Sequence, residues 1–309
     1  MRYARAVHRL AVLAVVAACH GASDPAQPDA AASQRDALAS PSDAAASPSD
    51  AATGGDAASG TTRRLPPVNA KADYQLGGAY ALPANVALVT RDRNAAPAAG
   101  VYNICYINGF QIQPDEAASW TTSHADLILR DGGAPVIDTQ WNEMLIDIST
   151  PDKRSQVAAI VNAWIDGCQA AGFDAVEIDN LDSYTRSHNL LVADNAVAAM
   201  ALFSAHAHAV GLAIGQKNAS ELVARKAELG TDFATAEECD RYSECDAYRA
   251  GYGDHVNEYR RADFEAGCTN FPNLSIILRR RPRDTDDERL RLRRVLSAGR
   301  WPSAARELP

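Results

Sequence analysis

Beyond its first twenty residues, this 309-residue chain has no stretch long and apolar enough to cross a bilayer as a helix. It has no G-x-G-x-x-G turn and no P-loop, so the usual signatures of dinucleotide and nucleoside triphosphate binding are missing. Histidine is scarce, at 7 residues, and no His-x-x-x-His set is available for a metal-dependent polysaccharide deacetylase. Neither flank of Cys239 or Cys245 carries a histidine at ligand spacing, which argues against zinc there; no metal and no cofactor are expected. Positive charge is also short. Thirty Lys and Arg against 39 Asp and Glu leave a net charge of −9, which argues against a nucleic-acid partner. Large apolar side chains are nearly lacking from residue 20 to 69, where Ala, Ser, Asp and Pro dominate and Ser40-Pro41-Ser42-Asp43-Ala44-Ala45 recurs as Ser47-Pro48-Ser49-Asp50-Ala51-Ala52. Such a segment buries too little to offset its chain entropy and is expected to be a disordered linker.

What is present begins with a leader. Arg2, Arg5, His8 and Arg9 precede an apolar run, Leu10–Ala18, too short for a mature membrane anchor. The run ends Val16-Ala17-Ala18-Cys19, which resembles the bacterial lipobox, whose cysteine becomes the lipidated first residue. Residues 1–19 are therefore expected to be a signal peptide, with Cys19 as the lipidation site; plain cleavage after an Ala-x-Ala-like site is the alternative. Either way the protein is expected outside the cytoplasm, secreted or touching the membrane through a lipid anchor only. Cysteines 105, 168, 239, 245 and 268 are then disulfide candidates. Cys239 and Cys245 close a short loop and form the expected pair; the pairing of the others stays open, and their odd number leaves at least one thiol free or paired elsewhere.

Residues 70–282 have the length for one sizeable core. Short β-like runs start near Tyr74, Val86 and Val101, and Met144–Ile148 reads as another strand or its end. Val157–Ala170 has the apolar spacing of an amphipathic helix, Leu191–Val210 is an alanine-rich helix, and Ser220–Leu229 reads as a helix with a serine cap. His206 and His208 are expected to serve the end of the second helix rather than chemistry. Later strands centre near residues 214, 235, 257 and 276, at a spacing of about twenty residues that leaves room for one helix per crossover. The pattern predicts an α/β fold, most simply a closed (β/α)₈ TIM barrel, with a doubly wound open sheet as the runner-up. Residues 283–309 read as a basic, poorly ordered tail; a capping helix through Leu290–Leu296 is the alternative.

The central stretch runs Ala171-Gly172-Phe173-Asp174-Ala175-Val176-Glu177-Ile178-Asp179-Asn180-Leu181-Asp182: a helix end capped by Gly172, a short strand, then acids. Carboxylates at 177, 179 and 182 appear where the strand should end, and ligands gather at the carboxyl ends of strands in parallel α/β folds. A lone Asp there more often caps the next helix, but three acids in six residues point to chemistry for at least one, and paired acids are the tools of a glycosidase.

Gly172–Tyr184 resembles the signature of the endo-α-1,4-polygalactosaminidases, glycoside hydrolase family 114, with Ile178 where the family typically has Pro. Further matches follow in the family's order: Tyr74–Gly78, Asn103–Asn108, Leu145–Ser149, Gly211–Asn218, and Ala236-Glu237-Glu238-Cys239 with Tyr242, Glu244 and Cys245. The strand around Glu258 is poorer in apolar residues than its family counterpart, and the pattern is lost from Arg279 onward. The resemblance covers about residues 73–280. It implies a (β/α)₈ barrel, a polysaccharide substrate of α-1,4-linked galactosamine, and catalysis by Asp179 and Glu237. Asp179, short and held on a strand end, is expected as nucleophile or base, and Glu237, with the longer reach, as acid. Asp147, Asp182, Lys217, Asn218, Glu258 and Tyr184 are candidate substrate contacts, with capping or turn roles as alternatives for Asp182 and Asn218. Tyr102, Tyr106 and Trp141 are further candidates for stacking on sugars. The expectation is a monomeric endo-glycosidase; a non-catalytic glycan-binding surface lipoprotein on the same barrel is the competing reading.

Overall fold

The computed structural model describes residues 63–260 and 264–278. Eight parallel strands follow one another in chain order around a single sheet. They are β1 (Ala72–Gln75), β2 (Leu88–Asp92), β3 (Tyr102–Asn108) and β4 (Ala175–Asp179). The other four are β5 (Ala213–Lys217), β6 (Phe233–Glu237), β7 (Val256–Arg260) and β8 (Ser275–Leu278). The approaches to the first and last strands are stitched together: Asn69 N–H donates to the Asn273 carbonyl at 3.0 Å and Ala70 N–H to Ser275 Oγ at 2.9 Å. The molecule is a nearly closed (β/α)₈ TIM barrel. Its helices are α1 (Ala117–Ser123), α2 (Pro151–Ala171), α3 (Ala193–Ala209), α4 (Lys226–Leu229), α5 (Cys245–Tyr252) and α6 (Phe264–Asn270). The crossovers from β1 to β2 and from β2 to β3 contain no helix. No described helix is long and apolar enough to cross a membrane.

Local chemistry sets the ends of α2. Thr150 accepts a hydrogen bond from Lys153 N–H at 3.2 Å, and Pro151 occupies the first turn, where its missing N–H costs nothing. Gly172 ends the helix at φ 92°, donating to the carbonyls of Cys168 and Gln169. Val157, Val161, Ile165 and Cys168 are buried along one stripe, and a Cys105–Cys168 disulfide ties the helix to β3.

The three strands around the site alternate in phase. In β4, Ala175 faces the barrel interior with Tyr74, Ile104 and Phe233, while Val176 and Ile178 join the core beneath α2 and α3. In β5 and β6 the same phase turns Ala213 and Phe233 inward and Ile214, Ala234 and Ala236 outward. Both faces of these strands are covered, as in other parallel sheets, so a slip of one residue would drive charge into the outer core. Inward-facing Glu177 is completely buried, accepting hydrogen bonds from the Tyr74 hydroxyl at 2.7 Å and the Thr235 hydroxyl at 2.6 Å.

Several expectations need correction. The run Met144–Ile148 is not a barrel strand. Only Glu143–Leu145 is a strand, antiparallel to Gln111–Ile112 and to Ile137–Asp138, in an excursion that grows from the carboxyl end of β3. Ser220–Leu229 is not one serine-capped helix. Ala219 turns with φ 59° into a 3₁₀ segment, Ser220–Arg225, that no side chain caps, and α4 adds a single turn. Residues 63–69, assigned by composition to the linker, run along the barrel. Arg64 pairs with Asp174 at 2.6 Å, and the Pro66 carbonyl lies 2.9 Å from His255 Nδ1. His206 and His208 do pair near the end of α3, with Asp166 at 2.7 Å and Asp232 at 2.9 Å. The leader with Cys19, the linker to residue 62 and the tail at 283–309 lie outside the described residues.

Gly215 of β5 sits opposite Phe233 of β6, and a Cβ added there would meet the Phe233 ring at 2.4–2.8 Å. Phe233 is fully buried, so the ring has no open side to move into. Gly215→Ala is expected to cost about 1–3 kcal/mol through overpacking, read as a lower Tm; an unchanged Tm would show that the interior yields.

Candidate active site

Three consecutive barrel strands end in Asp179, Lys217 and Glu237. The inward phase of each strand delivers its last side chain to the same mouth. Lys217 Nζ donates to Asp179 Oδ2 at 2.9 Å and lies 3.8 Å from Glu237 Oε1. A shared lysine at these distances limits the gap between those carboxylate oxygens to about 6.7 Å. Two acids separated by 58 positions in the chain thus flank one ammonium.

Two further donors fix Asp179. The Tyr106 hydroxyl donates to Oδ2 at 2.5 Å and the Asn180 N–H to Oδ1 at 2.7 Å. Burial pushes this carboxyl up, but the Lys217 charge and the hydrogen bonds from Tyr106, Lys217 and Asn180 outweigh it and hold it below the usual aspartate value. Burial pulls Lys217 down, and the charges of Asp179, Glu237 and Glu177 more than reverse that, so it stays protonated. Glu177, deeper in the barrel, goes the other way. Burial dominates the Lys217 charge and its two hydroxyl donors, and its carboxyl is pushed up to about 7. Glu237 is more open, at 34% side-chain exposure against 12% for Asp179. Asn218 brackets it, donating from Nδ2 to Glu237 Oε2 at 3.3 Å and accepting the Glu237 N–H at 2.9 Å. The residue after each of the three strand ends has a left-handed backbone: Asn180 at φ 64°, Asn218 at 55° and Glu238 at 58°.

These groups open into a cleft of about 600 Å³. Eight carboxylates line it (Asp138, Glu143, Asp179, Asp182, Glu221, Glu237, Glu238 and Glu244) against two cations, Lys217 and Arg186. Among the expected substrate contacts, Asp182, Lys217 and Asn218 line the cleft. Asp182 does not cap through its side chain; Arg186 grips it at 2.8 and 3.0 Å. Asp147 and Tyr184 are not part of the lining. Asp147 is held by Ser149 and Lys153 at the turn into α2, and the Tyr184 hydroxyl donates to Glu221. Tyr102 donates to the Arg64 carbonyl at 2.6 Å and also lies off the cleft, whereas Tyr106 and Trp141 line it. The Glu258 side chain lies outside the described residues. Among the described residues, no group of three or more acids, histidines or cysteines is arranged to hold a metal ion.

Sequence reasoning missed Glu143, which reaches the cleft from the excursion after β3. Asn108 Nδ2 donates to it at 3.0 Å, and burial, with the neighbouring Asp179 and Asp138 charges, pushes its carboxyl up to about 7 against that hydrogen bond and the Lys217 charge. Asn108 Oδ1 in turn accepts from Asn180 Nδ2 at 2.9 Å, which links Glu143 to the turn after Asp179. The only sequence signal was Asn108 at a strand end. The expected Cys239–Cys245 bond is present and closes the loop that carries Tyr242 and Glu244 into the lining.

The family model of glycoside-hydrolase family GH114 matches residues 52–290. The chain belongs to this family. It is a glycoside hydrolase, and its GH114 barrel has solved counterparts. Aspergillus fumigatus Ega3 in complex with galactosamine superposes with a TM-score of 0.58 at 20% identity, over 72% of this chain and 95% of that one. A single-residue variant of the glycoside hydrolase domain of PelA from Pseudomonas aeruginosa gives 0.51 at 15% identity, over 70% and 96%. At these identities the likeness speaks for the fold. No curated protein sequence matches the GH114 chain.

Lys217→Met tests the electrostatic account. It leaves Asp179 buried without its cation, a change expected to cost about 3–5 kcal/mol at neutral pH. The lowered folded value of Asp179 contributes stability above the unfolded aspartate value and loses it as pH falls through the folded one. The deficit of the variant in thermal melts should therefore be large at pH 7 and shrink below about pH 4. A deficit independent of pH would mean that Lys217 acts by packing alone.

Proposed function

We propose that this protein is an endo-glycosidase that cleaves α-1,4-linked galactosamine polymers, with Asp179 as nucleophile and Glu237 as general acid and base. The observation that carries the reading is the single lysine held between those two carboxylates at the mouth of the barrel. Asp179 is ionised and fixed by Tyr106, Lys217 and the Asn180 N–H, which suits a nucleophile aimed at an anomeric carbon. Glu237 is more exposed and reaches toward the cleft, which suits protonation of a leaving oxygen. In the first step Glu237 gives its proton to the glycosidic oxygen while Asp179 attacks C1 and the C1–O bond breaks. In the second, Glu237 takes a proton from water, which attacks C1 and releases Asp179.

The ceiling of about 6.7 Å between these carboxylate oxygens spans the roughly 5–5.5 Å of retaining pairs and reaches the lower edge of the roughly 6.5–9.5 Å of inverting ones; retention of configuration is the outcome assigned to this pair and tested below. A deacetylated galactosamine polymer is cationic, and eight carboxylates against two cations along the cleft suit such a chain. The galactosamine bound to Ega3 is consistent with this choice of sugar. Asp182, Lys217 and Asn218 are assigned as substrate contacts from the cleft lining. Placement outside the cytoplasm, tethered through Cys19, rests on the leader sequence and on two disulfides, Cys105–Cys168 and Cys239–Cys245, which persist in an oxidising compartment.

Purified protein incubated with an α-1,4-galactosamine polymer should release oligosaccharides whose new reducing ends first appear as the α anomer by proton NMR. Asp179→Asn and Glu237→Gln should each lower kcat by about 10³-fold or more while keeping the wild-type circular dichroism. Cleavage at undiminished rate in either variant would remove the two-carboxylate assignment, and first appearance of the β anomer would remove retention.

A further inference from the structure

We propose that Trp141 and Tyr242 are the sugar-stacking platforms on the two sides of the cleaved bond, Trp141 for the glycone and Tyr242 for the leaving group. The inference rests on the endo-glycosidase reading and adds to it the residues that hold the polymer on either side. Among the described residues, these are the two aromatic side chains that stand out as large exposed hydrophobics, at 56% and 59%, and both line the cleft. Scattered surface apolar residues need no explanation, but two large rings at the rim of one acid-lined cleft do. The Trp141 indole makes no hydrogen bond or ring contact with any described residue. Arg241 stacks on the Tyr242 ring at 5.4 Å, and the ring still keeps its exposure.

Barrel order separates the two rings. Trp141 sits on the excursion that follows β3, and Tyr242 on the loop that follows β6. The strands between them, β4 and β5, end in Asp179 and Lys217. A chain running from one ring to the other therefore passes over the carboxylates. Glu237, the residue that protonates the leaving oxygen in this reading, ends β6 and feeds directly into the loop of Tyr242, which puts that ring on the leaving-group side. Trp141 shares its excursion with Glu143, which is tied through Asn108 to the turn after Asp179. That places it on the side of the nucleophile.

Both platforms are built to stay in place. The turn of Trp141 is closed by Asn142 N–H to the Asp138 carbonyl at 2.8 Å and by Gln140 N–H to Asp138 Oδ1 at 3.0 Å, and Arg186 Nε anchors Asp138 at 2.9 Å. The loop of Tyr242 is closed by the Cys239–Cys245 disulfide and by Glu244 N–H to the Cys239 carbonyl at 2.7 Å. Loops fixed before binding lose little freedom when a sugar lands on the rings they carry. A galacto-configured ring suits such platforms, because its axial O4 leaves contiguous C–H groups on one face, and a C2 ammonium adds a cation–π component.

The test compares the polymer with a p-nitrophenyl α-glycoside of a short galactosamine oligomer, whose aryl leaving group takes the place of sugars on that side. Trp141→Ala should raise KM about tenfold on both substrates. Tyr242→Ala should raise KM on the polymer and so shift the polymer-to-aryl KM ratio by about tenfold. In both variants kcat should fall less than KM rises, and Trp141→Phe and Tyr242→Phe should restore most of the loss, which a purely structural role would not do. Either KM pattern reversed, or both variants within twofold of wild type on the polymer, overturns the assignment. If wild-type protein turns over neither substrate, the glycosidase reading has failed separately. Calorimetric binding of a galactosamine oligomer to the Asp179→Asn protein then decides the platforms alone: about tenfold weaker binding on adding either alanine substitution supports them, and unchanged affinity overturns them.

Discussion

One buried ammonium holds this site together. Lys217 is 7% exposed at its side chain and faces carboxylates on both sides and below. Removing such a cation from water costs several kcal/mol, while each carboxylate near 3–4 Å returns roughly 4–5 kcal/mol at an effective dielectric of about 20. A single partner would barely offset burial; two at the mouth and Glu177 beneath decide the balance. The converse also holds. Two strand-end acids on the strands that flank β5 would repel each other without the lysine, and one would protonate. The same ammonium leaves Asp179 low and Glu177 high because their depths differ. Asp179 receives it directly, with a phenol and a backbone N–H besides, whereas Glu177 meets it only at longer range and keeps neutral hydroxyl donors in a fully dry layer.

Strand phase turns this local balance into a site. Asp179, Lys217 and Glu237 face the mouth only because Ala175, Ala213 and Phe233 face inward two pairs of residues earlier on the same strands. Packing of small and large residues in the lower barrel therefore fixes which side chains emerge at the top. Gly215 belongs to that packing: it has no side chain because the Phe233 ring fills the place a Cβ would take. Above the strands, the left-handed residues Asn180, Asn218 and Glu238 turn the chain sharply away, so the last side chain of each strand is not followed by another that would cover it.

Much of this was legible in the sequence. The even spacing of strands after residue 200 and the cluster of acids after Val176 pointed to the barrel and to one catalytic candidate, because period and burial leave a strong mark on short parallel strands. Asn218 does turn the chain, as its residue type allows, since asparagine tolerates a left-handed backbone. Glu238 in the same conformation carried no such mark. Asp147 misled because an acid after an apolar run looks the same whether the run is a barrel strand or a short antiparallel excursion. Glu143 was invisible for the same reason: its place in the cleft depends on how that excursion folds back over β3, and no periodicity records that. Composition also drew the linker too long, as the contacts of residues 63–69 lie with Asp174, Asn273 and His255, far away in the chain.

The charge of the cleft completes the argument. Lys217 is occupied by Asp179 and Glu237, and Arg186 by Asp138 and Asp182, so neither lining cation is left to answer the remaining acids. Glu238 is paired from outside the lining by Arg241, which leaves Glu143, Glu221 and Glu244 with no cation in an ion pair among the described residues. These acids come from crossover segments rather than from the barrel, and such segments can carry an excess of charge because water screens them while the cleft is open. A bound chain displaces that water and weakens the screening. A neutral polymer would leave the acids facing one another in a drier cleft, whereas a polymer with an ammonium on each sugar would replace water with counter-charge along its length. The acids at the rim therefore support the proposed deacetylated substrate through the same balance of burial and partnership that keeps Lys217 charged within the barrel.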